Sequence, residues 1–486
     1  MKKFFLLFLL FLPFCFGGCS QTSVWKIRVL DGEAEIIQYV GRGKEVDVPS
    51  EYKGTPVTRI GSYAFLNSPV SKVNIPESIK IVGENAFSNC RDLVSINLGN
   101  IEEIGADAFS FCVSLTDVLL PKTVTRIDGS SFDGCTQLQS IYVDKDNPFF
   151  YTNDSILFSK EGELILYPEA KEGDSYIIPS NVKTIGPYAF SGNPYISSII
   201  MQDNVREIGA YAFYSCGQLG NIIFSKKLEQ LGDFALMDTL WLKENNNEIV
   251  VLNETFFIAY QGTENELIIP DGVKEITVQQ QYQNLETVNK LILPASVLFI
   301  SDELWNYSNI TLFSVDSLNP NYTVIDGVIL LSKDLSTLIR YNSTHSHDIP
   351  TLPESVTEIG NGAFMHGKLE SFECPDSIKK IGSKAFTHSA LKQLTLSKNL
   401  QSIAADAFAN CNNLGEVVLP MNINSLGDRC FANCKTLERL TIPESVNEIG
   451  SDLFGTNKKV KIVCDKNSYA YLYAKENQYN TILLNS

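Results

Sequence analysis

Histidine and tryptophan are scarce in this chain of 486 residues, four of the first and three of the second. The histidines are His345, His347, His366 and His388, and none has an acidic or cysteine partner at metal-ligand spacing. His345-Ser-His347 is the one close pair, and two ligands alone do not make a metal site. Tight Cys-x-x-Cys pairs are missing, so the eleven cysteines do not read as zinc ligands. The chain has no Walker loop, no Gly-x-Ser-x-Gly and no His-Glu-x-x-His, and Gly41-Arg-Gly43 lacks the third glycine and the helix of a dinucleotide site. Acidic pairs such as Glu102-Glu103 fall on solvent-facing repeat positions, and 56 acidic residues produce such pairs by chance. No catalytic residue, metal or cofactor is assigned, and the chain reads as a non-enzyme. Positive charge is also short: the net charge is −17, and −19 once Lys2 and Lys3 are set aside, which repels phosphate backbones and excludes nucleic acid as an expected partner. Beyond the leader, no run approaches the ~18 uninterrupted apolar residues of a membrane span.

What is present begins with MKKFFLLFLLFLPFCFGGC, two lysines followed by a short apolar run and small residues before Cys19. Charge and run length give a secretory signal. The stretch resembles the lipobox of bacterial lipoproteins, which implies a signal peptide over 1–18, lipidation of Cys19 and a membrane partner reached through an N-terminal lipid anchor. Phe16 departs from the usual leucine, Cys15 is a second cysteine in the region, and a plain signal peptide remains the alternative. Residues 19–23 form a tether of under ~20 Å, so the fold sits close to its membrane.

The dominant signal is a period. Phe65, Phe87, Phe109, Phe132, Phe190, Phe213, Phe364, Phe386, Phe408, Phe431 and Phe454 recur mostly at steps of 22 or 23, within the 20–29 range of leucine-rich repeats. The unit reads I-G-x-x-A-F-x-x-C-x-x-L-x-x-I/V-x-L-P-x-x-V/I-x-x. Leu115-x-x-Val118-x-Leu120-Pro121 alternates like a strand with one buried face, and proline ends it where its missing N–H does no harm. Val446-x-x-Ile449-Gly450 reads as a second short strand, its glycine expected to permit a tight corner. One such coil cannot bury its own apolar face; stacked neighbours do so.

Cys90, Cys112, Cys135, Cys216, Cys411 and Cys434 occupy one slot, held elsewhere by Pro69, Asn193 or Ser389. Chemistry does not tolerate such replacement within one array, whereas a small buried side chain does, so these cysteines read as core. Disulfides between ladder positions are disfavoured by parallel Cβ vectors, Cys411, Cys430 and Cys434 being the closest trio.

Two stretches, VDKDNPFFYTNDSILFSKEGELILYP from 143 and VDSLNPNYTVIDGVILLSKDLSTLIRYN from 315, read as hairpins inserted between coils, with a third variant from 251. Ser468 reads as the N-cap of a helix whose Tyr469, Leu472 and Tyr473 share the face that seals the last coil. The expected organisation is a capping coil at 24–56, repeats at 57–141, a hairpin insert at 142–176, repeats at 177–232, degenerate repeats at 233–313, a second insert at 314–345, repeats at 346–463 and a C-terminal cap at 464–486.

The repeat resembles the BspA-like, or Treponema pallidum type, leucine-rich repeats over roughly residues 30–480. The resemblance implies a leucine-rich repeat solenoid of short parallel β-strands in about 17 stacked coils, with inserted hairpins and a short C-terminal capping helix. It also implies a bacterial surface or secreted protein, several members being adhesins. Asp154-Ser-Ile, Asp238-Thr-Leu, Asp316-Ser-Leu and Asp376-Ser-Ile resemble the acceptor of Bacteroides O-glycosylation, whereas SQTS after Cys19 lacks the acidic run of the Bacteroides surface-export signal. A lipid-anchored protein of the cell envelope and outer membrane, facing either outward or the periplasm, is the expectation.

On each strand the second and third x point outward. From 119 to 292 the second of these is always large and apolar, which gives the candidate binding residues Leu119, Tyr142, Ile200, Ile223 and Ile292. A contiguous apolar stripe marks an interface; the alternative is that the hairpins fold over it and make it satellite core. The expected partner is a protein or glycan outside the cytoplasm, in an adhesin-like role, the alternative being a scaffold that organises envelope or glycan-uptake components.

Overall fold

The structure, a computed structural model, describes residues 24–30, 32–279, 284–341 and 351–484. Cys15, Cys19, His345 and His347 lie outside the described residues. The chain forms a β-solenoid of about 19 turns in two compact units, one ending at Asn246 and the other beginning at Asn247. That is more than the count of about 17 from sequence, because the hairpin segments are themselves turns of the stack.

Each coil supplies two short strands to two parallel rows. The Leu-Pro row contains Asp117–Leu120 paired with Ser140–Val143, and Ser175–Ile177, Ser198–Ile200 and Asn221–Ile223 paired in sequence. The Ile-Gly row of the first unit runs from Trp25–Leu30 and Glu33–Tyr39 through Thr55–Ile60, Ile81–Val82 and Glu103–Ile104 to Arg126–Ile127. It then restarts as a second sheet at Phe150–Asn153. The hairpin there is not an appendage. Phe150–Asn153 pairs antiparallel with Ile156–Ser159 and that strand antiparallel with Glu163–Leu166, but the last pairs in parallel with Thr184–Ile185 and so occupies a rung of the row. Tyr322–Ile325, Ile329–Ser332 and Thr337–Tyr341 repeat the arrangement in the second unit.

Between the rows the phenylalanines stack. Phe65, Phe87, Phe109 and Phe132 have successive ring centroids 4.5, 5.3 and 5.2 Å apart, and Phe364, Phe386, Phe408 and Phe431 stand 4.7, 5.0 and 5.2 Å apart. The slot three residues on has a defined task. The thiols of Cys90, Cys112, Cys135 and Cys216 donate to the carbonyl oxygens of Phe65, Phe87, Phe109 and Phe190 one coil back, at 3.1, 3.3, 3.2 and 3.0 Å. Asn193 fills the same slot by donating to Pro168, Glu169 and Lys171 carbonyls. The residue at this place after Phe65 is the buried Ser68, not Pro69, which lies one position further along. All nine cysteines among the described residues are buried free thiols, including Cys411, Cys430 and Cys434.

The glycine of Ile-Gly is needed for a different reason from the one its sequence suggests. Gly83, Gly105 and Gly209 do not have positive φ. A Cβ on Gly83 would instead lie 2.8 Å from the Ser62 nitrogen, so the glycine lets consecutive coils approach. Left-handed residues lie on the far side of each turn, before the Ala-Phe pair and two residues after it, as at Asn85 and Asn89 or Lys384 and His388.

The C-terminal helix Tyr469–Glu476 starts at Ser468, whose hydroxyl accepts from the Tyr471 N–H at 3.2 Å. Its buried face is Ala470, Tyr473 and Ala474, whereas Tyr469 and Leu472 are exposed. Small alanines let the helix seat closely, and the Tyr473 hydroxyl accepts from the Leu453 N–H at 3.1 Å. The following strand Asn480–Leu483 extends the Leu-Pro row in parallel with Lys461–Cys464.

Candidate binding surface

Alternation along the Leu-Pro strands drives one side chain into the core and the next outward. Val118 and Leu120 are buried, while Leu119 between them is 59% exposed. Leu119 stands opposite Tyr142, itself 51% exposed. Ile177, Ile200 and Ile223 stand opposite one another on three adjacent strands, at a spacing of ~4.8 Å. Ile177 is 57% and Ile223 51% exposed, with Ile200 half-buried between them. The first unit therefore presents two short apolar ladders, separated by the hairpin rung where the Ile141 N–H donates to the Ser155 carbonyl. The hairpin does not cover Leu119, Tyr142 or Ile223. The neighbouring outward column is polar: Ser175, Ser198 and Asn221, the last donating to the Ser198 hydroxyl at 3.0 Å.

In the second unit Ile292 is half-buried and stands opposite Ile268, which is exposed, and a Lys290–Glu266 ion pair at 3.0 Å flanks them. Ile177 and Ile268 are members of the ladders that the sequence scan passed over. Their signal was available: each is followed by Ile-Pro, the end of the repeat strand, at 178–179 and 269–270.

Among the described residues the titratable groups elsewhere do not converge on one point. Burial, then the charge of Asp133, holds the Glu169 carboxyl up at about 7. Burial also raises Asp133, whose carboxylate accepts from the Ser191 hydroxyl at 2.7 Å. His366 and His388 stack at 5.2 Å on left-handed residues of adjacent coils, and burial lowers the His366 pKa. Among the described residues no group of three or more His, Cys, Asp or Glu is placed to hold a metal ion. The Asp-Ser/Thr-aliphatic pattern is not one kind of place: Ser317 is exposed, but Thr239 is fully buried as the N-cap of Leu240–Lys243, and the Ser377 hydroxyl is buried as well. No helix among the described residues is long and apolar enough to cross a membrane.

The description that matches the chain is BspA type Leucine rich repeat region, in six copies over residues 57–160, 170–259 and 340–461. No curated protein matches. Among solved structures, a leucine rich cell surface protein from Faecalibacterium prausnitzii is similar at 22% identity, over 94% of this chain and 96% of that one, with a TM-score of 0.33. A leucine-rich repeat protein from Bacteroides ovatus is similar at 18% identity, over 95% and 98%, with a TM-score of 0.30. A leucine rich repeat protein from T. pallidum is similar at 20% identity, over 45% and 88%, with a TM-score of 0.27. Likenesses of this size say nothing of what the chain binds.

Proposed function

We propose, from the premise that the chain belongs to the BspA-type leucine-rich repeat family, that it is a non-catalytic binding scaffold of the cell envelope. Each unit has its own recognition surface on the outward face of its Leu-Pro strands: Leu119, Tyr142, Ile177, Ile200 and Ile223 in the first, and Ile268 and Ile292 in the second. The observation that carries this reading is that apolar side chains, not polar ones, occupy register-matched exposed positions on adjacent rungs, an arrangement that marks interaction surfaces. An apolar ladder bordered by serine and asparagine favours a protein partner over a glycan. Lipidation of Cys19 would hold the scaffold at the membrane, and an adhesin-like role follows if the chain faces outward.

Two experiments test this. Protease shaving of intact cells, with a periplasmic control, decides the side of the membrane. Tyr142→Glu with Ile223→Glu, positions about half exposed where a charge can reach solvent, should leave thermal unfolding nearly unchanged and abolish partner binding. Unchanged binding to every matrix protein, mucin and partner cell that the parent chain recognises would remove the surface from consideration.

A further inference from the structure

The Ile-Gly row of the first unit is interrupted between two sheets. The strand Arg126–Ile127 ends one sheet and Phe150–Asn153 begins the next. They flank a cleft of about 520 Å³, lined by Thr125, Arg126 and Ile127 on one side and by Phe149, Phe150 and Glu161 on the other. That volume lies in the range of ligand sites.

At each earlier step of this row the next coil donates to two carbonyls. The Lys80 and Gly83 N–H groups donate to Thr58 and Ile60, and those of Glu102 and Gly105 to Lys80 and Val82. Those of Thr125 and Asp128 then donate to Glu102 and Ile104. The carbonyls next in line are those of Thr125 and Ile127, and among the described residues no donor reaches them. The second unit has the same interruption, after Phe299–Ile300, and closes it. There the Asn321 side-chain amide donates to the Leu298 carbonyl at 2.7 Å and the Tyr322 hydroxyl lies 3.4 Å from it. Leu298 is the counterpart of Thr125, and Asn319-Pro-Asn-Tyr of Asn147-Pro-Phe-Phe; Asn147 and Asn319 clamp the preceding coil in the same way. Phenylalanines at 149 and 150 have no group to donate, so the edge of the first unit stays open.

We propose that this cleft takes an extended peptide segment of a partner protein as an added β-strand. Two acceptors two residues apart on a strand edge match N–H groups two residues apart on an extended chain, as Glu103 and Gly105 serve Lys80 and Val82 and as Arg126 and Asp128 serve Glu102 and Ile104. Charge adds a preference. Beside the row two basic residues pair with an acid one coil on, Lys80 with Glu102 at 3.1 Å and Arg206 with Glu229, both in the column one residue before that of Arg126. Arg126 is exposed and forms no ion pair among the described residues, and the rung one coil on from it is the missing one. A carboxylate side chain on the incoming strand has Arg126 to pair with on the near edge, while Lys160, Glu161 and Glu163 line the far side. This site is separate from the apolar ladders and does not depend on them.

The test begins with a phage-displayed library of random twelve-residue peptides panned on the full chain. Enriched peptides are then measured as synthetic ligands by fluorescence anisotropy. Peptides bearing an acidic residue should bind the parent chain, and Phe149→Asn with Phe150→Tyr, which copies the closed edge of the second unit, should weaken them at least tenfold. The converse exchange, Asn321→Phe and Tyr322→Phe together with Phe299→Arg at the counterpart of Arg126, should create a second binding site, and it keeps the test decisive if the first pair does not fold. N-methylation along the peptide should abolish binding at alternate residues only. No enriched peptide, affinity indifferent to the 149/150 exchange, or an N-methyl scan without alternation would each overturn the assignment.

Discussion

Replacing Gly209 by alanine is expected to destabilise the first unit, although alanine has the better intrinsic conformational preference. Gly209 has no positive φ that requires glycine. Its absent Cβ would lie 2.5 Å from the Pro187 nitrogen and 2.8 Å from the Gly186 carbonyl carbon, both backbone atoms of the coil behind. Relieving that contact to an ordinary 3.4 Å requires the coils to part by about 0.9 Å. The movement stretches the Gly209 N–H to Ile185 bond of 2.8 Å and the Tyr188 N–H to Ala210 bond of 3.1 Å, and loosens the Phe190–Phe213 stack at 5.1 Å. Overpacking of this kind costs ~1–3 kcal/mol and each hydrogen bond contributes ~1, against a gain of ~0.4–1 from stiffening the unfolded chain. A net loss of about 1–3 kcal/mol is expected. Gly217 is the control, since nothing lies within 4 Å of its Cβ position and its φ is not positive. Gly217→Ala should be neutral or stabilise by ~0.4–1 kcal/mol. Urea unfolding followed by circular dichroism separates the two, with hydrogen exchange localising the loss to the coils around 186–213. Equal midpoints for the two variants would refute close coil approach as the reason for the Ile-Gly glycine.

Three further outcomes are expected. Burial pushes the Cys90, Cys216 and Cys374 thiols up to about 12 from an ordinary 9.0, so at pH 8 the thiolate falls from about one in ten to about one in ten thousand. Maleimide labelling read by peptide mapping should therefore mark these cysteines only after denaturation, and fast native labelling would contradict their placement. Arg340 is buried, donates to the Gly362 carbonyl at 2.7 Å, leaves its Nε unsatisfied and occupies the place that Leu166 has in the first hairpin; Arg340→Leu should raise stability by ~1–4 kcal/mol in thermal unfolding, and a loss would show that the Trp305 and Gly362 contacts outweigh the buried charge. Glu169 has a folded pKa raised to about 7, so the folded state holds a proton the unfolded chain releases near 4.5. Its contribution is full below about 4.5 and is lost as pH rises to about 7, so the difference in stability between pH 5 and pH 8 should shrink in Glu169→Gln; an unchanged difference would place the linkage elsewhere.

The period carried the fold into view because one coil makes the same contacts as the next. Phenylalanines 22 or 23 apart became a ring stack, and a small residue three positions on became a capped carbonyl. What the linear pattern did not disclose depends on neighbours across coils. The thiol's acceptor is 25 or 26 residues back in the chain, invisible to a reading of local spacing. The Ile-Gly glycine looked like a corner residue because its constraint comes from the backbone of another turn. The terminal helix buried its alanines and not Tyr469 and Leu472, since the fit to the last coil rewarded close approach over side-chain size. Of the candidate surface, the outward positions of Leu119, Tyr142, Ile200, Ile223 and Ile292 were legible from alternation alone, and those of Ile177 and Ile268 from the Ile-Pro that follows each. The open strand edge at Thr125 and Ile127 was not legible, because it is defined by a missing neighbour.

The most direct measurement places a photo-crosslinking amino acid at Tyr142, at Ile223 and, as a control on the opposite row, at Glu84, and irradiates intact cells. The account requires protein adducts from positions 142 and 223 and none from 84. No adducts from the ladder, or the same adducts from all three positions, would contradict it.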